Sequence, residues 1–107
     1  MPLEHFGFTP NEARVYEALV TLGRSTGYAV ALEAGLARAN TYQALEGLVR
    51  RGAARRSAQR PRLYSAIAPQ ALLHQLAEET RGKLESLGSH LTSLGPVPHG
   101  SGVGDLE

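Results

Sequence analysis

The chain has 107 residues, of which 42% are hydrophobic and 20% charged, with a formal net charge of +1 and no cysteine. Such a length suits one compact domain and is too short for two ordinary ones, and the missing cysteines exclude disulfides and thiolate metal sites. No apolar run approaches the roughly 18 residues of a membrane span, and Met1-Pro2-Leu3-Glu4-His5 lacks a basic-then-apolar signal pattern, so a cytoplasmic location is the expectation.

Taken in chain order, the first helix has the clearest start. Thr9-Pro10-Asn11-Glu12 predicts Thr at the N-cap, Pro at N1 and Glu at N3, a capping box in which each end satisfies a backbone N–H. Phe8 and Ala13 are placed to act as a hydrophobic staple. Val15, Tyr16, Leu19 and Val20 recur at helical spacing, and Gly23 closes the helix near Leu22. Ser25 and Thr26 are candidate caps for a short second helix, Gly27 to Ala34, with Gly35 as its left-handed terminator. A third helix runs from near Ala37 to Gly52, with Tyr42, Leu45, Leu48 and Val49 as its apolar stripe. By that stripe, Asn40, Gln43 and Gly47 point away from the core, Arg50 and Arg51 flank it, and Arg38 falls on the core side. Its N-cap lacks a side-chain acceptor. Two extended runs, Ala53–Ser57 and Arg62–Ala66, flank Ala58-Gln59-Arg60-Pro61 and read as a β-hairpin.

Pro69 opens a long final helix to residue 94. Leu73, Ala77, Thr80, Leu84, Leu87, Leu91 and Leu94 follow alternating spacings of four and three, the a/d seam of a coiled coil. One small domain cannot cover so long a seam, and the same helix of a second copy is the expected partner, although Gly82, Gly88 and Thr80 weaken it. Residues 95–107 are expected to form a flexible tail. The chain therefore divides into a domain over 1–68, a dimerisation helix over 69–94 and that tail.

The charge is unevenly spread. Residues 1–37 are net −2 and residues 63–107 net −3, whereas residues 38–62 carry seven arginines against Glu46 alone, net +6. A block of this kind is either a solvated face or the footprint of a polyanion-binding surface. Three short helices, a hairpin and a long C-terminal helix form the winged-helix order, so the fold class is mainly α with a small β-hairpin: a winged helix-turn-helix with a C-terminal dimerisation helix.

Three motifs carry a resemblance. Phe8-Thr9-Pro10-Asn11-Glu12-Ala13-Arg14-Val15-Tyr16-Glu17-Ala18-Leu19, Arg38-Ala39-Asn40-Thr41-Tyr42-Gln43-Ala44-Leu45 and Arg60-Pro61-Arg62-Leu63-Tyr64-Ser65-Ala66 with Pro69 resemble the opening, recognition helix and wing of the TrmB-like transcriptional regulators. The match covers roughly residues 6–75. It implies a prokaryotic DNA-binding regulator, usually dimeric, in which the recognition helix enters the major groove. Sugar sensing, which many members house in a larger further domain, is not carried over.

On that reading Arg38, Ala39, Asn40 and Gln43 are the candidates for base readout, since Asn and Gln pair with adenine and Arg with guanine edges. Arg38 also has a claim on phosphate instead, and Asn40 and Gln43 have a solvated face as their alternative. Ser25, Thr26, Arg50, Arg51, Arg55, Arg60 and Arg62 are the candidates for the DNA backbone and wing, with plain capping the stronger role for Ser25 and Thr26. Arg55 and Arg56 alternate on one strand, so at most one faces DNA. Tyr16, Tyr42 and Tyr64 read as core, with base stacking as the alternative. His74 and Glu78 share a helix face but lack a third ligand.

No nucleophile set, phosphate-cradling loop or carboxylate pair marks an enzyme, and no metal or cofactor is indicated. The partners expected are double-stranded DNA, which implies a nucleoid-associated location in the cytoplasm, and a second copy through the C-terminal helix, with no membrane; whether a small-molecule effector acts is left open. The alternatives are an architectural, chromatin-like DNA-binding protein of little sequence preference, a winged-helix protein-interaction module, and, less favoured, an RNA binder.

Overall fold

A computed structural model describes residues 2–97. Its elements are a short 3₁₀ helix (Pro2–Phe6), α1 (Pro10–Leu22), β1 (Ser25–Thr26), α2 (Gly27–Ala34), α3 (Arg38–Arg50), β2 (Ala54–Arg56), β3 (Leu63–Ala66) and α4 (Pro69–Ser93). They fall into two units, one reaching His74 and the other beginning at Gln75. The expected tail lies mostly outside the described residues, from 98 onward.

Local hydrogen-bond chemistry sets the helix boundaries. Thr9 Oγ1 accepts from the Glu12 N–H at 3.0 Å, and Glu12 Oε1 accepts from the Thr9 N–H at 2.9 Å, completing the capping box. Thr26 Oγ1 caps α2 through the Ala29 N–H. At the other end of α2, Gly35 adopts the left-handed conformation (φ 68°) that an L side chain avoids, and its N–H reaches the Ala31 carbonyl. Arg14 Nη2 donates to the Ala34 carbonyl at 2.6 Å, satisfying one more of the acceptors a helix leaves open at its C-terminus. α3 has no side-chain cap, as its sequence implied. Thr41, fully buried, donates instead to the Ala37 carbonyl one turn back at 2.9 Å.

The three helices of the first unit close on a core of Phe8, Val15, Tyr16, Leu19, Val30, Leu45 and Leu48, to which the sheet adds Tyr64. The sheet has three strands, not the two expected. Their order is β1-β3-β2, all antiparallel, with Ser25 opposite Tyr64, Ala54 opposite Ala66 and Arg56 opposite Tyr64. A two-residue strand has no periodicity to announce it, so Ser25 and Thr26 were legible only as caps. Val20 also departs from expectation: it is 45% exposed and lies at the rim of the α1 stripe.

Tyr16 ties α1 to the chain leaving β3, its hydroxyl donating to the Ile67 carbonyl at 2.6 Å. Burial pushes the Tyr16 phenol above its ordinary value. The neutral form is thus favoured by folding, and that stabilisation is complete below the ordinary tyrosine range and lost as pH rises through the folded value. Tyr16→Phe is expected to lower the urea-derived stability at neutral pH by about 1 kcal/mol and to lessen the alkaline decline. An unchanged stability together with an unchanged alkaline limb would show that the bond contributes nothing.

Candidate nucleic-acid interface

The packing of α3 determines which of its side chains are available. Thr41, Ala44, Leu45, Gly47 and Leu48 are buried, while Arg38, Ala39, Asn40, Gln43 and Arg50 are exposed. At about 100° per residue, this sets Ala39, Gln43, Glu46 and Arg50 along the middle of the uncovered face. Asn40 lies on one edge and Tyr42 on the other. The helix is therefore turned about its axis from the orientation its apolar residues imply.

Small residues cause that turn. Gly47, expected on the exposed face, is buried against the start of α1, where a Cβ would lie 2.0 Å from Glu12 Oε2. Thr41 and Ala44 are buried with it. Tyr42, expected in the core, is instead 37% exposed, its ring lying over Gly27 at the head of α2. A Cβ at Gly27 would stand 2.4 Å from the ring's Cζ. Arg38, expected on the core side, is exposed at the first position of α3.

Beside this face, Asn11, Glu12, Asn40, Gln43 and Arg50 line an open depression of about 300 Å³. Its wall offers amide and guanidinium donors, with the carboxylate of Glu12 partly taken up by the Thr9 cap. Asn11 had no signal in the sequence beyond its place in the capping box. Tyr28, at the second position of α2, is a further exposed aromatic (59%) that periodicity passed over.

The hairpin loop is tied at its base. Ser57 accepts from the Leu63 N–H through Oγ at 2.9 Å, and its own N–H donates to the Leu63 carbonyl at 2.8 Å. Arg60 is exposed at the tip and Arg62 half-buried, its Nη1 3.4 Å from the Ser57 carbonyl. Arg55 is exposed on β2. Its neighbour Arg56 turns to α3, where Nη1 donates to Glu46 Oε1 at 2.5 Å. Glu46 holds the Arg56 guanidinium still further above its ordinary value, first through that hydrogen bond and then through its charge. The Tyr64 hydroxyl lies 3.4 Å from Glu46 Oε2, and burial, then the Glu46 charge, push its phenol upward. Tyr42 meets the Tyr64 ring edge-on, centroids 6.4 Å apart.

Other candidates are engaged within the chain. Arg51 donates to the Phe6 carbonyl at 3.0 Å and stacks over the Phe8 ring at 3.8 Å, a cation–π contact. Ser25 donates to the Gly23 carbonyl, and Thr26 caps α2. In α4, Leu73, Leu84, Leu87 and Leu91 are 50–63% exposed, and Ala77 and Thr80 are exposed as well; the helix ends at Ser93, so Leu94, expected as its last seam residue, lies just past it and is 66% exposed. Glu78 pairs with Arg81, as does Glu85. Among the described residues, no group of three His, Asp or Glu gathers as a metal site, and no helix is long and apolar enough to cross a membrane.

The family described as the sugar-specific transcriptional regulator TrmB matches residues 3–70, which hold α1 to β3, with the exposed face of α3 and the arginines of the hairpin. The chain belongs to the TrmB family. That family is one of transcriptional regulators, not of enzymes. Among curated proteins, the chain is similar to the uncharacterized protein YrhO of Bacillus subtilis, 44% identical over 50 residues. The match takes in 47% of this chain and 18% of that protein's length. Among solved structures, TrmBL2, an archaeal chromatin protein, superposes with a TM-score of 0.77 at 26% identity, over 86% of this chain and 36% of that one. A possible transcriptional regulator from Methanosarcina mazei superposes at 0.73, over 85% of this chain and 82% of that one, but at 12% identity it speaks to the fold alone. These likenesses make the TrmB chain a winged helix: β2 and β3 form the wing, and α2 and α3 the helix-turn-helix.

Proposed function

We propose that the chain is a sequence-specific regulator that binds duplex DNA as a homodimer, α3 entering the major groove and the β2–β3 wing lying on the backbone or minor groove. One observation carries the reading. Residues 38–62, with their net charge of +6, run from the start of α3 through β2 and the wing loop up to β3, and Arg38, Arg50, Arg55 and Arg60 stand exposed on them. In this arrangement Ala39, Asn40 and Gln43 meet base edges, and Arg38 meets a base or phosphate. Arg50, Arg55, Arg60 and Arg62 take phosphates, which supply affinity without sequence information. Ser25, Thr26 and Arg51 serve the interface by holding its framework. The exposed leucines of α4 supply the contact between copies.

A second reading has its own support. TrmBL2, similar over most of this chain, is described as a chromatin protein with a novel mode of DNA binding, which favours an architectural role with little sequence preference. Fluorescence anisotropy separates the two, using the gene's own upstream region and a random duplex at two salt concentrations. A preference of about a thousandfold or more that survives the higher salt supports the regulator. Tight, salt-sensitive binding to both supports the architectural protein. Binding to neither, from a folded protein, rejects both. Asn40→Ala is expected to weaken binding to the preferred duplex about tenfold, a loss of one good base contact, while leaving the random duplex unchanged. Equal losses on both would remove Asn40 from base readout.

A further inference from the structure

Glu46 is the lone acidic residue in the stretch from 38 to 62, and the fold sets it in the middle of the uncovered face of α3, between Gln43 and Arg50. A carboxylate there opposes the attraction that the surrounding arginines create. Glu46 is not hidden: its side chain is 41% exposed and that of Arg56, its partner, 35%. An ion pair so open to water contributes little to stability. Its consequence is electrostatic and falls on the interface itself, where it cancels one arginine of the basic block.

We infer that Glu46 is a specificity-determining residue that suppresses indiscriminate DNA binding, by holding Arg56 away from phosphates and by setting a negative charge against them. The inference rests on the DNA-binding reading above. Discrimination is a difference of affinities, raised as well by repelling the wrong partner as by attracting the right one. Binding to arbitrary sequence depends on phosphate contacts, and there the carboxylate acts fully against association. When α3 is seated in the groove, its middle faces base edges, where a carboxylate can accept a hydrogen bond from the cytosine amino group. The penalty therefore falls more heavily on the wrong duplex. The hydroxyl of the buried Tyr64 also lies 3.4 Å from Glu46 Oε2 and adds a second contact to the carboxylate on this face.

The test is Glu46→Gln, which keeps the shape of the side chain and removes its charge, with anisotropy on a random duplex over a salt series. The variant is expected to bind random duplex about three- to tenfold more tightly. Its plot of log affinity against log salt should steepen by about 0.9, the effect of one further neutralised phosphate. Arg56→Ala alone should leave the slope as it is, and Glu46→Gln with Arg56→Ala should return it to that of the unaltered protein. Unchanged or weaker binding to random duplex, with an unchanged slope, would overturn the inference and make the pair a strut between α3 and β2. A slope lowered by Arg56→Ala alone would also overturn it, since Arg56 would then already be neutralising a phosphate. If the unaltered protein bound neither duplex, the DNA-binding reading would fail and this inference with it. Binding by the unaltered protein with no response in the variant rejects the inference alone.

Discussion

Leu87→Glu is expected to leave a folded monomer that binds a two-half-site duplex at least about a hundredfold more weakly than the unaltered protein. Leu87 is 50% exposed and sits between Leu84 and Leu91 on one stripe of α4. Within a single chain the change touches little that is covered, and leucine and glutamate differ slightly in helix propensity, so the urea midpoint of the monomeric unit should scarcely move. Between two copies the change puts a carboxylate into an apolar seam, where no partner charge awaits it. Two linked DNA-binding units gain about 10²–10⁴ over one, because the second contact becomes intramolecular, and that gain disappears with the dimer. Sedimentation velocity reads the assembly state, and anisotropy on one and two half-sites reads the consequence. A variant that remains dimeric would put the interface elsewhere on the chain.

The second large effect concerns the seating of α3. Leu45 is fully buried on the inner side of that helix, and Leu45→Ala is expected to destabilise the fold by about 2–5 kcal/mol through lost transfer energy and the cavity left behind. Domains of ordinary stability have about 5–15 kcal/mol in all, so the variant should unfold at a far lower urea concentration and lose much of its helical circular dichroism on mild warming. A loss below about 1 kcal/mol would mean that the site collapses around the missing atoms, and that α3 is positioned mainly by its small-residue contacts with α1.

The features most legible in the sequence are those whose chemistry is local. The capping box at Thr9 and Glu12, the Thr26 cap and the left-handed Gly35 each depend on groups within about one helical turn, so their residue types alone predicted them. The wing was legible because Pro61 and its neighbours interrupt two extended runs, and the basic block because charge is countable. The rotation of α3 was not. Hydrophobicity weights Tyr42 and Val49 and passes over Thr41, Ala44 and Gly47, yet it is the small residues that let α1 approach, while Tyr42 takes the rim. Arg51 read as a candidate for the DNA backbone, whereas the fold brings Phe6 and Phe8 to it across more than 40 positions. Glu46 and Arg56, ten residues apart, looked like ordinary charges, because their pairing depends on the angle between helix and strand.

The bare backbone of Gly27 lets the rim of the exposed α3 face be reshaped from behind. The Tyr42 ring keeps its place at the rim of α3 because position 27 has no side chain to dislodge it. A methyl group there would drive the ring outward, into space that a bound duplex would claim, without altering any residue on the exposed face of α3. If α3 reads DNA as proposed, position 27 would work as a setscrew on the contour of the face. A lineage could shift its preferred target by a change at a buried glycine, and a comparison of recognition helices alone would miss it.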